Sequence, residues 1–200
     1  MQPIRRRQLI LATIRCMSEY GFARTTIARI GKTAGVTPSI IHHYFGGKDD
    51  LLEATVRFLL EQLRQNVVRQ LTQATNARQR VEAIIAANFA DDQFNDETLA
   101  AWMALWAQAQ HHHGLHRLQQ IYARRLQSNL RHALRQLVDE NAVQRGAFGL
   151  AALVDGLWLN CSLNGEANGA LARAVALNYI DKLLRTAQPV PTQSVESDHV

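Results

Sequence analysis

The chain has 200 residues, of which 47% are hydrophobic and 20% charged, and this composition excludes a disordered or fibrous protein. No uncharged apolar run approaches the roughly 18 residues of a membrane helix, and no secretory signal follows the basic N-terminus, so we expect a cytoplasmic protein with no membrane association. The net charge of +5 lies entirely in residues 1–60, which hold nine basic and four acidic side chains. This asymmetry favours a segment that binds a polyanion, although charge alone leaves a merely solvated basic face open.

The spacing of apolar residues predicts helices along the whole chain. No proline interrupts residues 39–188, and apolar residues recur at intervals of three and four, as in Ile10, Ile14 and Met17. No strand-like alternation of useful length is present. We therefore predict an all-α fold with about nine helices, at residues 5–20, 26–34, 38–44, 48–73, 77–90, 96–110, 115–140, 143–164 and 168–187.

Residues 26–45 fit a helix-turn-helix. Gly35 stands where the chain must leave the second helix in a left-handed conformation, and a bulky side chain at Gly31, one turn earlier, would block the helix that follows. Thr37 is placed to cap the third helix, and Pro38 suits its first turn. In such a motif the N-terminal part of the second of the paired helices enters the major groove of DNA.

The outer face of the third helix carries side chains suited to DNA contact. Hydroxyl and imidazole groups reach phosphates or base edges, an isoleucine packs on a thymine methyl, and a lysine binds a phosphate. Helix pairs joined by glycine are common, so the pair alone does not indicate DNA binding. The positive charge in the same segment favours double-stranded DNA as the partner. The candidate DNA-binding residues are Thr26, Arg29, Thr37, Pro38, Ser39, Ile40, His42, His43, Tyr44 and Lys48.

Several short segments within residues 5–60 form a recognisable signature: Gly21-Phe22, Thr25-Thr26, Ile27-Ala28, Ala34-Gly35-Val36, Tyr44-Phe45, Lys48 and Leu51-Leu52. Together they resemble the N-terminal part of the TetR family of bacterial regulators. The resemblance implies an all-α homodimer that binds DNA and a small-molecule effector. On this basis we divide the chain into a DNA-binding domain at 1–47 and an effector-binding and dimerisation domain at 48–187. Two prolines and a polar composition with little to bury predict a disordered tail at 188–200.

Segments in the rest of the chain extend the resemblance. They include Ala101-Trp102, Leu105-Trp106-Ala107 and the run from Gly149 to Leu159. These segments are similar to the choline-responsive repressors of glycine betaine synthesis within that family. The resemblance implies repression of genes for choline uptake and oxidation, relieved by choline or a related quaternary ammonium. It implies no cofactor.

All three tryptophans lie outside the DNA-binding third and suggest an effector site. Trp102 and Trp106 are four residues apart on one helical face, and Trp158 lies three residues from Asp155. Aromatic faces and a carboxylate hold a quaternary ammonium, with about 0.5–2 kcal/mol for each cation–π contact. The same spacing suits core tryptophans and an aspartate paired with an arginine. The candidate ligand-binding residues are Trp102, Trp106, Asp155, Trp158, Phe89 and Tyr122.

The eighth and ninth helices suggest a dimer surface. Five apolar side chains form a stripe on the eighth helix, three small residues beside them allow close approach, and four side chains of the ninth helix face them. Ordinary packing within one chain is the alternative. These three sets are Leu150, Leu153, Val154, Leu157 and Cys161; Gly149, Ala152 and Gly156; and Leu171, Val175, Tyr179 and Leu183.

Other functions find less support in the sequence. His112 and His116 stand four residues apart, as metal ligands on a helix do, but we favour a polar loop and expect no metal site. No nucleophile elbow, phosphate-binding glycine loop or zinc signature is present, so we predict that the chain is not an enzyme. A helical partner-binding module would leave Lys48 without a role. A repressor that responds to another small molecule remains the main alternative.

Overall fold

The structure, a computed structural model, describes residues 2–187. Within that range it is helical and has no strand, so the all-α prediction is confirmed. The predicted tail at 188–200 lies outside the described residues. The nine helices of the described range are α1 Gln2–Arg24, α2 Ile27–Ala34, α3 Pro38–Phe45, α4 Lys48–Leu71, α5 Ala77–Asn88, α6 Asp96–Ala109, α7 His113–Leu134, α8 Glu140–Asn164 and α9 Gly169–Thr186.

The helix-turn-helix forms at α2 and α3. Thr26 caps α2 because its hydroxyl accepts a hydrogen bond from the Arg29 amide at 3.2 Å. Gly35 ends α2 in the left-handed conformation, with φ of 67°, as the sequence predicts. A Cβ at Gly31 would lie 2.8 Å from the Val36 carbonyl oxygen, so the turn itself, rather than the next helix, excludes a side chain there.

The expected cap of α3 is wrong. Thr37 stands at the N-cap position, but its side chain makes no capping hydrogen bond. Its hydroxyl instead shares a hydrogen bond with the Ser39 hydroxyl at 2.8 Å, while the Thr37 carbonyl accepts from the Ile40 amide. The two exposed hydroxyls therefore lie together at the start of α3, where a helix of this motif meets DNA.

Two helix boundaries differ from the prediction because capping residues decide them. α7 ends at Leu134, and α8 begins at Glu140 because the Asp139 carboxylate accepts a hydrogen bond from the Ala142 amide at 3.0 Å. The chain leaves the helical conformation at Gly21, with φ of 72° and ψ of 168°, as the sequence predicts, and a short helical segment then runs on to Arg24. Apolar periodicity alone cannot place these ends, since it runs on through a short turn.

The helices share one continuous hydrophobic core. α1 packs on α6, so a helix of the predicted effector domain contacts the DNA-binding segment directly. α4 begins beside the helix-turn-helix and continues along α5 and α7. α8 packs between α7 and α9 and also contacts α6. Both α6 and α4 therefore contact the DNA-binding segment directly.

The predicted stripe on α8 is divided between the core and the surface. Leu150 and Val154 are buried within the chain. Two glycines of α8 serve its packing on α9, since a Cβ at Gly149 would overlap the Tyr179 hydroxyl and one at Gly146 would overlap Leu183. For these residues, packing within one chain is the correct reading.

A different set of small and apolar residues remains uncovered on α8. Phe148 is 67% exposed, and similar residues follow it at intervals of three and four. We call Phe148, Ala152, Gly156, Leu159 and Leu163 the exposed α8 face; Leu171 and Val175 of α9 are exposed as well. Among the described residues α8 is the one helix whose length and composition would allow it to cross a membrane, which is weak evidence for a span. An exposed apolar face of this kind is typical of a surface that another protein surface covers.

Candidate DNA-binding and ligand-binding sites

The predicted DNA-binding residues differ in their exposure. The exposed ones are free to meet a second molecule, and the partly buried ones have their side chains oriented by neighbours. The exposed residues are Thr26, Thr37, Pro38, Ser39, His42 and His43, and the partly buried residues are Arg29, Ile40, Tyr44 and Lys48.

Both partly buried cations rest on aromatic rings. The guanidinium of Arg29 lies 4.4 Å from the ring centre of Tyr20 and donates to the Arg24 carbonyl at 2.7 Å. The ammonium of Lys48 lies 4.7 Å from the ring centre of Phe22. Cation–π contacts of this kind hold a long side chain in place while its charge stays near the surface. The sequence reasoning did not identify these aromatic partners.

Five of the predicted ligand-binding residues come together around Trp102 of α6. The centre of the Trp102 ring lies 6.0 Å from that of Trp106, 6.2 Å from that of Tyr122 and 6.4 Å from that of Trp158. The Tyr122 hydroxyl donates to the Asp155 carboxylate at 3.0 Å. We call Trp102, Trp106, Tyr122, Asp155 and Trp158 the aromatic site. It joins the three consecutive helices α6, α7 and α8.

Asp155 supplies negative charge to the aromatic site. Burial raises the pKa of its carboxyl group above the usual 3.8, although the hydrogen bond from Tyr122 opposes the shift. Burial and the charge of Asp155 raise the pKa of Tyr122 well above 10, so its hydroxyl stays a donor. Within residues 2–187 Asp155 forms no ion pair. The arginine partner that the sequence left open is therefore absent from this part of the chain.

Two indole groups of the aromatic site can each donate a further hydrogen bond. The ring N–H groups of Trp106 and Trp158 are buried and have no acceptor among the described residues. A buried donor without a partner costs free energy, and unpaired groups of this kind are uncommon in folded proteins. The aromatic site therefore suits a ligand that has both a cation and an acceptor oxygen.

Phe89 lies one layer outside the aromatic site. Its ring contacts that of Phe94 at 5.2 Å between centres, and Phe94 contacts Trp158 at 5.0 Å. Phe94 was missed by the sequence reasoning. A signal was present, because Phe94 directly precedes Asn95, the N-cap of α6, and an apolar residue at that position commonly packs against the first turns of the helix.

A cavity of about 410 Å³ lies beside the aromatic site, between α4, α5 and α7. Its lining is mainly apolar and includes Leu60 and Leu63 of α4. Tyr122 of α7 also lines it, so one residue forms part of both the cavity and the aromatic site. Tyr122 therefore lies between the Asp155 carboxylate and the cavity that α4 lines.

The side chain of His112 holds the start of α7 against α4. His112 caps α7, and its ring nitrogens lie 3.8 Å from an Asp49 oxygen and 3.9 Å from a Glu53 oxygen. Gly114 packs so closely on Glu53 that a Cβ there would overlap the carboxylate. Among the described residues no group of three or more side chains could hold a metal ion.

Two family models match the chain in consecutive segments. Residues 9–55 match a model described as bacterial regulatory proteins, tetR family. Residues 77–185 match a model described as BetI-type transcriptional repressor, C-terminal. The first match contains α2 and α3, and the second contains the whole aromatic site.

Individual proteins resemble the chain over most of its length. The HTH-type transcriptional regulator BetI of Brucella anthropi is 45% identical over 181 residues, which cover 90% of this chain and 93% of that protein. A transcriptional regulator from Pseudomonas aeruginosa PAO1 has a structure with a TM-score of 0.76 and 26% identity, covering 93% of each chain. A regulator from Saccharomonospora viridis, whose crystal structure is described as in complex with choline, shares the fold with a TM-score of 0.74 and 20% identity, covering 88% of this chain and 95% of that one.

Proposed function

Because the chain belongs to the TetR family of DNA-binding transcriptional regulators and has a BetI-type C-terminal domain, we propose that it represses genes for choline uptake and for choline oxidation to glycine betaine. Choline is the inducer that releases it from DNA. The family consists of regulators, and the chain is not an enzyme. It acts on DNA in the cytoplasm.

The observation that carries the choice of inducer is the partly buried carboxylate of Asp155, which accepts a hydrogen bond from Tyr122, a member of the ring cluster around Trp102. A quaternary ammonium has no N–H to donate, so it is bound by ring faces and by negative charge. Asp155 provides the charge, and Trp102, which contacts three other rings of the aromatic site, provides its centre. A bound cation would balance a charge that has no ionic partner within residues 2–187.

The unpaired indole N–H groups distinguish choline from its relatives. The hydroxyl oxygen of choline would accept a hydrogen bond from Trp106 or Trp158, whose N–H groups have no acceptor in the described part of the chain. Tetramethylammonium has the cation without that oxygen. Glycine betaine has acceptor oxygens on a carboxylate, which Asp155 would repel. We therefore expect choline to bind most tightly, tetramethylammonium less tightly and glycine betaine most weakly.

A homodimer binds a near-palindromic operator. Members of the family bind DNA as dimers, and the exposed α8 face, extended by Leu171 and Val175, is the apolar surface that a second copy covers. Each α3 then enters one of two successive major grooves on the same side of the DNA. Thr37, Ser39 and Ile40 at its N-terminal end contact base edges, and Lys48 contacts a phosphate.

Choline binding releases DNA by favouring a different position of α4. A ligand shifts such an equilibrium only when it binds one conformation more tightly than the other. Choline would take over the carboxylate that Tyr122 now contacts, and the cavity behind Tyr122 leaves room for its ring to move towards α4. The docking of Gly114 on Glu53 provides a second link to α4, close to Lys48.

Isothermal titration calorimetry with the purified dimer tests the inducer. We expect Trp106→Ala to weaken choline binding by about 5–30-fold, which corresponds to one lost cation–π contact of about 1–2 kcal/mol. Trp158→Phe keeps the aromatic face and loses the N–H. It therefore tests the contribution of the choline hydroxyl to binding separately from that of the cation. That variant should reduce the preference for choline over tetramethylammonium. Gel retardation without choline should show operator binding close to that of the unmutated protein.

Two results would remove this proposal. If the unmutated protein bound no choline, the inducer would be a different small molecule. If Trp102→Ala, Trp106→Ala and Trp158→Ala all bound choline with unchanged affinity, the ligand would lie elsewhere and the aromatic site would be ordinary core. Circular dichroism of each variant establishes that it is folded before affinities are compared.

A further inference from the structure

One arginine at the start of α1 contacts the end of the DNA-reading helix. Arg6 donates a hydrogen bond to the carbonyl oxygen of Tyr44 in the last turn of α3. Its guanidinium carbon also lies 4.3 Å from the ring centre of Phe45, the last residue of α3. One side chain therefore contacts both the backbone and the final side chain of α3 across 38 residues of sequence.

The chemistry of this contact suits an arginine. α3 has only eight residues, and the last carbonyl groups of a helix lack partners within the helix. A cation there compensates both the unpaired carbonyl and the negative end of the helix dipole. The planar guanidinium stacks on a ring while its N–H groups donate in the plane, and an ammonium cannot do both in the same way.

A neighbouring contact joins the same turn of α1 to the other helix of the motif. The side-chain amide of Gln8 donates to the Ala34 carbonyl at the end of α2, at 3.0 Å. The first turns of α1 thus bind the C-terminal ends of both α2 and α3. The adjacent arginine Arg5 is occupied within α1, where it donates to the Gln8 side chain at 2.8 Å.

We propose that Arg6 is a positioning residue for DNA recognition, which fixes the C-terminal end of α3 against α1 before DNA binds. With that end fixed, Thr37, Ser39 and Ile40 at the other end meet the bases in one orientation. The inference rests on the DNA-binding role of α3 and is independent of the inducer. It assigns Arg6 to the protein's own backbone, whereas a basic N-terminal run is ordinarily assigned to DNA phosphates.

Hydrogen exchange of the free protein tests the contact without DNA. In Arg6→Ala we expect the last amides of α3 and that of Gly46 to exchange about 5–30-fold faster, the loss expected from one helix-end charge and one cation–π contact. Arg6→Lys keeps the charge and loses the stacked planar group. Its exchange rates in α3 should therefore lie between those of the unmutated protein and those of Arg6→Ala. Arg7→Ala is the matched control, because it removes an exposed charge from the same turn. Its exchange in α3 should equal that of the unmutated protein.

DNA binding at several salt concentrations tests the consequence. Arg6→Ala should lower the ratio of operator affinity to non-specific affinity by about 5–30-fold and leave the salt slope unchanged, because its guanidinium is engaged with protein. Arg7→Ala should leave that ratio unchanged. The proposal is overturned if Arg6→Ala leaves exchange in α3 unaltered. It is equally overturned if Arg6→Ala lowers the salt slope by about one unit at a constant affinity ratio, since Arg6 would then be a phosphate contact.

Discussion

At the residue scale, Asp155 combines a stability cost with a proposed binding role. Its pKa is raised above 3.8 by burial, so the folded protein binds a proton there more tightly than the unfolded chain does. The protonated form therefore adds stability at low pH, and this contribution is lost as pH rises through the folded pKa. At neutral pH the ionised carboxylate destabilises the empty protein, and a bound cation would remove that cost.

Asp155→Asn should therefore raise stability and lower choline affinity together. The amide oxygen still accepts from Tyr122, while the buried charge is gone. Each kcal/mol gained should raise the Tm of the empty protein by about 2–4 °C at pH 7. Thermal unfolding with and without choline measures both effects, and Asp91→Asn, at an exposed position, is the control. A choline-induced shift in Asp155→Asn as large as in the unmutated protein would contradict the role of the carboxylate.

Lys48 is predicted to contact a phosphate, and Phe22 orients its ammonium. Lys48→Ala should weaken binding to all DNA sequences alike and lower the salt slope by about one unit. Ser39→Ala should change which base pairs are preferred and leave the slope unchanged. Both variants are compared by gel retardation over a series of salt concentrations. A changed sequence preference in Lys48→Ala, with the slope intact, would show that the two roles were assigned wrongly.

At the element scale, the turn between α2 and α3 depends on one backbone conformation. Gly35 has φ of 67°, and no atom lies within 4 Å of the Cβ that a larger residue would add. Space is therefore available for a side chain, and the restriction comes from the backbone alone. The angle between α2 and α3 is set at this residue, together with the close approach of Gly31 to Val36.

Gly35→Ala should destabilise the protein by about 1–2 kcal/mol, because alanine is strained in the left-handed conformation, and lower the Tm by about 2–8 °C. Asparagine tolerates that conformation better, so Gly35→Asn should lose distinctly less stability than Gly35→Ala. Thermal unfolding measured side by side separates backbone strain from the addition of a side chain. Equal losses in the two variants would indicate that a contact, and not the conformation, determines the residue at this position.

At the scale of the whole molecule, the exposed α8 face is the surface through which we propose that two copies meet. The face lies on the helix that also carries Asp155 and Trp158 towards the interior. In the proposed dimer, a change at the aromatic site would reach the dimer surface through this one helix and the DNA-binding segment through α4. The spacing of the two α3 helices would then depend on both routes.

A charge in the exposed α8 face should separate the dimer. Leu159→Asp places a carboxylate at a position that is 46% exposed, so the monomer should fold normally while dimerisation weakens. Val68→Asp on α4 is the matched control, because Val68 is 47% exposed. Sedimentation equilibrium measures the mass, and footprinting shows whether one or two half-sites are protected. A dimeric Leu159→Asp protein with an intact two-site footprint would place the interface on another surface.

The sequence by itself determined the helical elements, and it supplied the candidate residues of both proposed sites. Proline and glycine positions with apolar spacing predicted the nine helices, since local backbone preferences and one buried face per helix are sufficient for that. Gly35 indicated the left-handed turn because few other residues adopt it. The spacing of Trp102 from Trp106, and of Asp155 from Trp158, indicated that each pair shares a helical face.

Only the tertiary structure decided which faces meet. Phe94 joins Trp158 in place of Phe89, and the uncovered face of α8 is not the stripe that periodicity suggested, because helix rotation depends on contacts between helices distant in sequence. The hydrogen bond from Arg6 to the Tyr44 carbonyl cannot be predicted from the sequence for the same reason. Local patterns specify a helix and its apolar side. The rotation of each helix, and the partners of each side chain, result from packing the whole core at once.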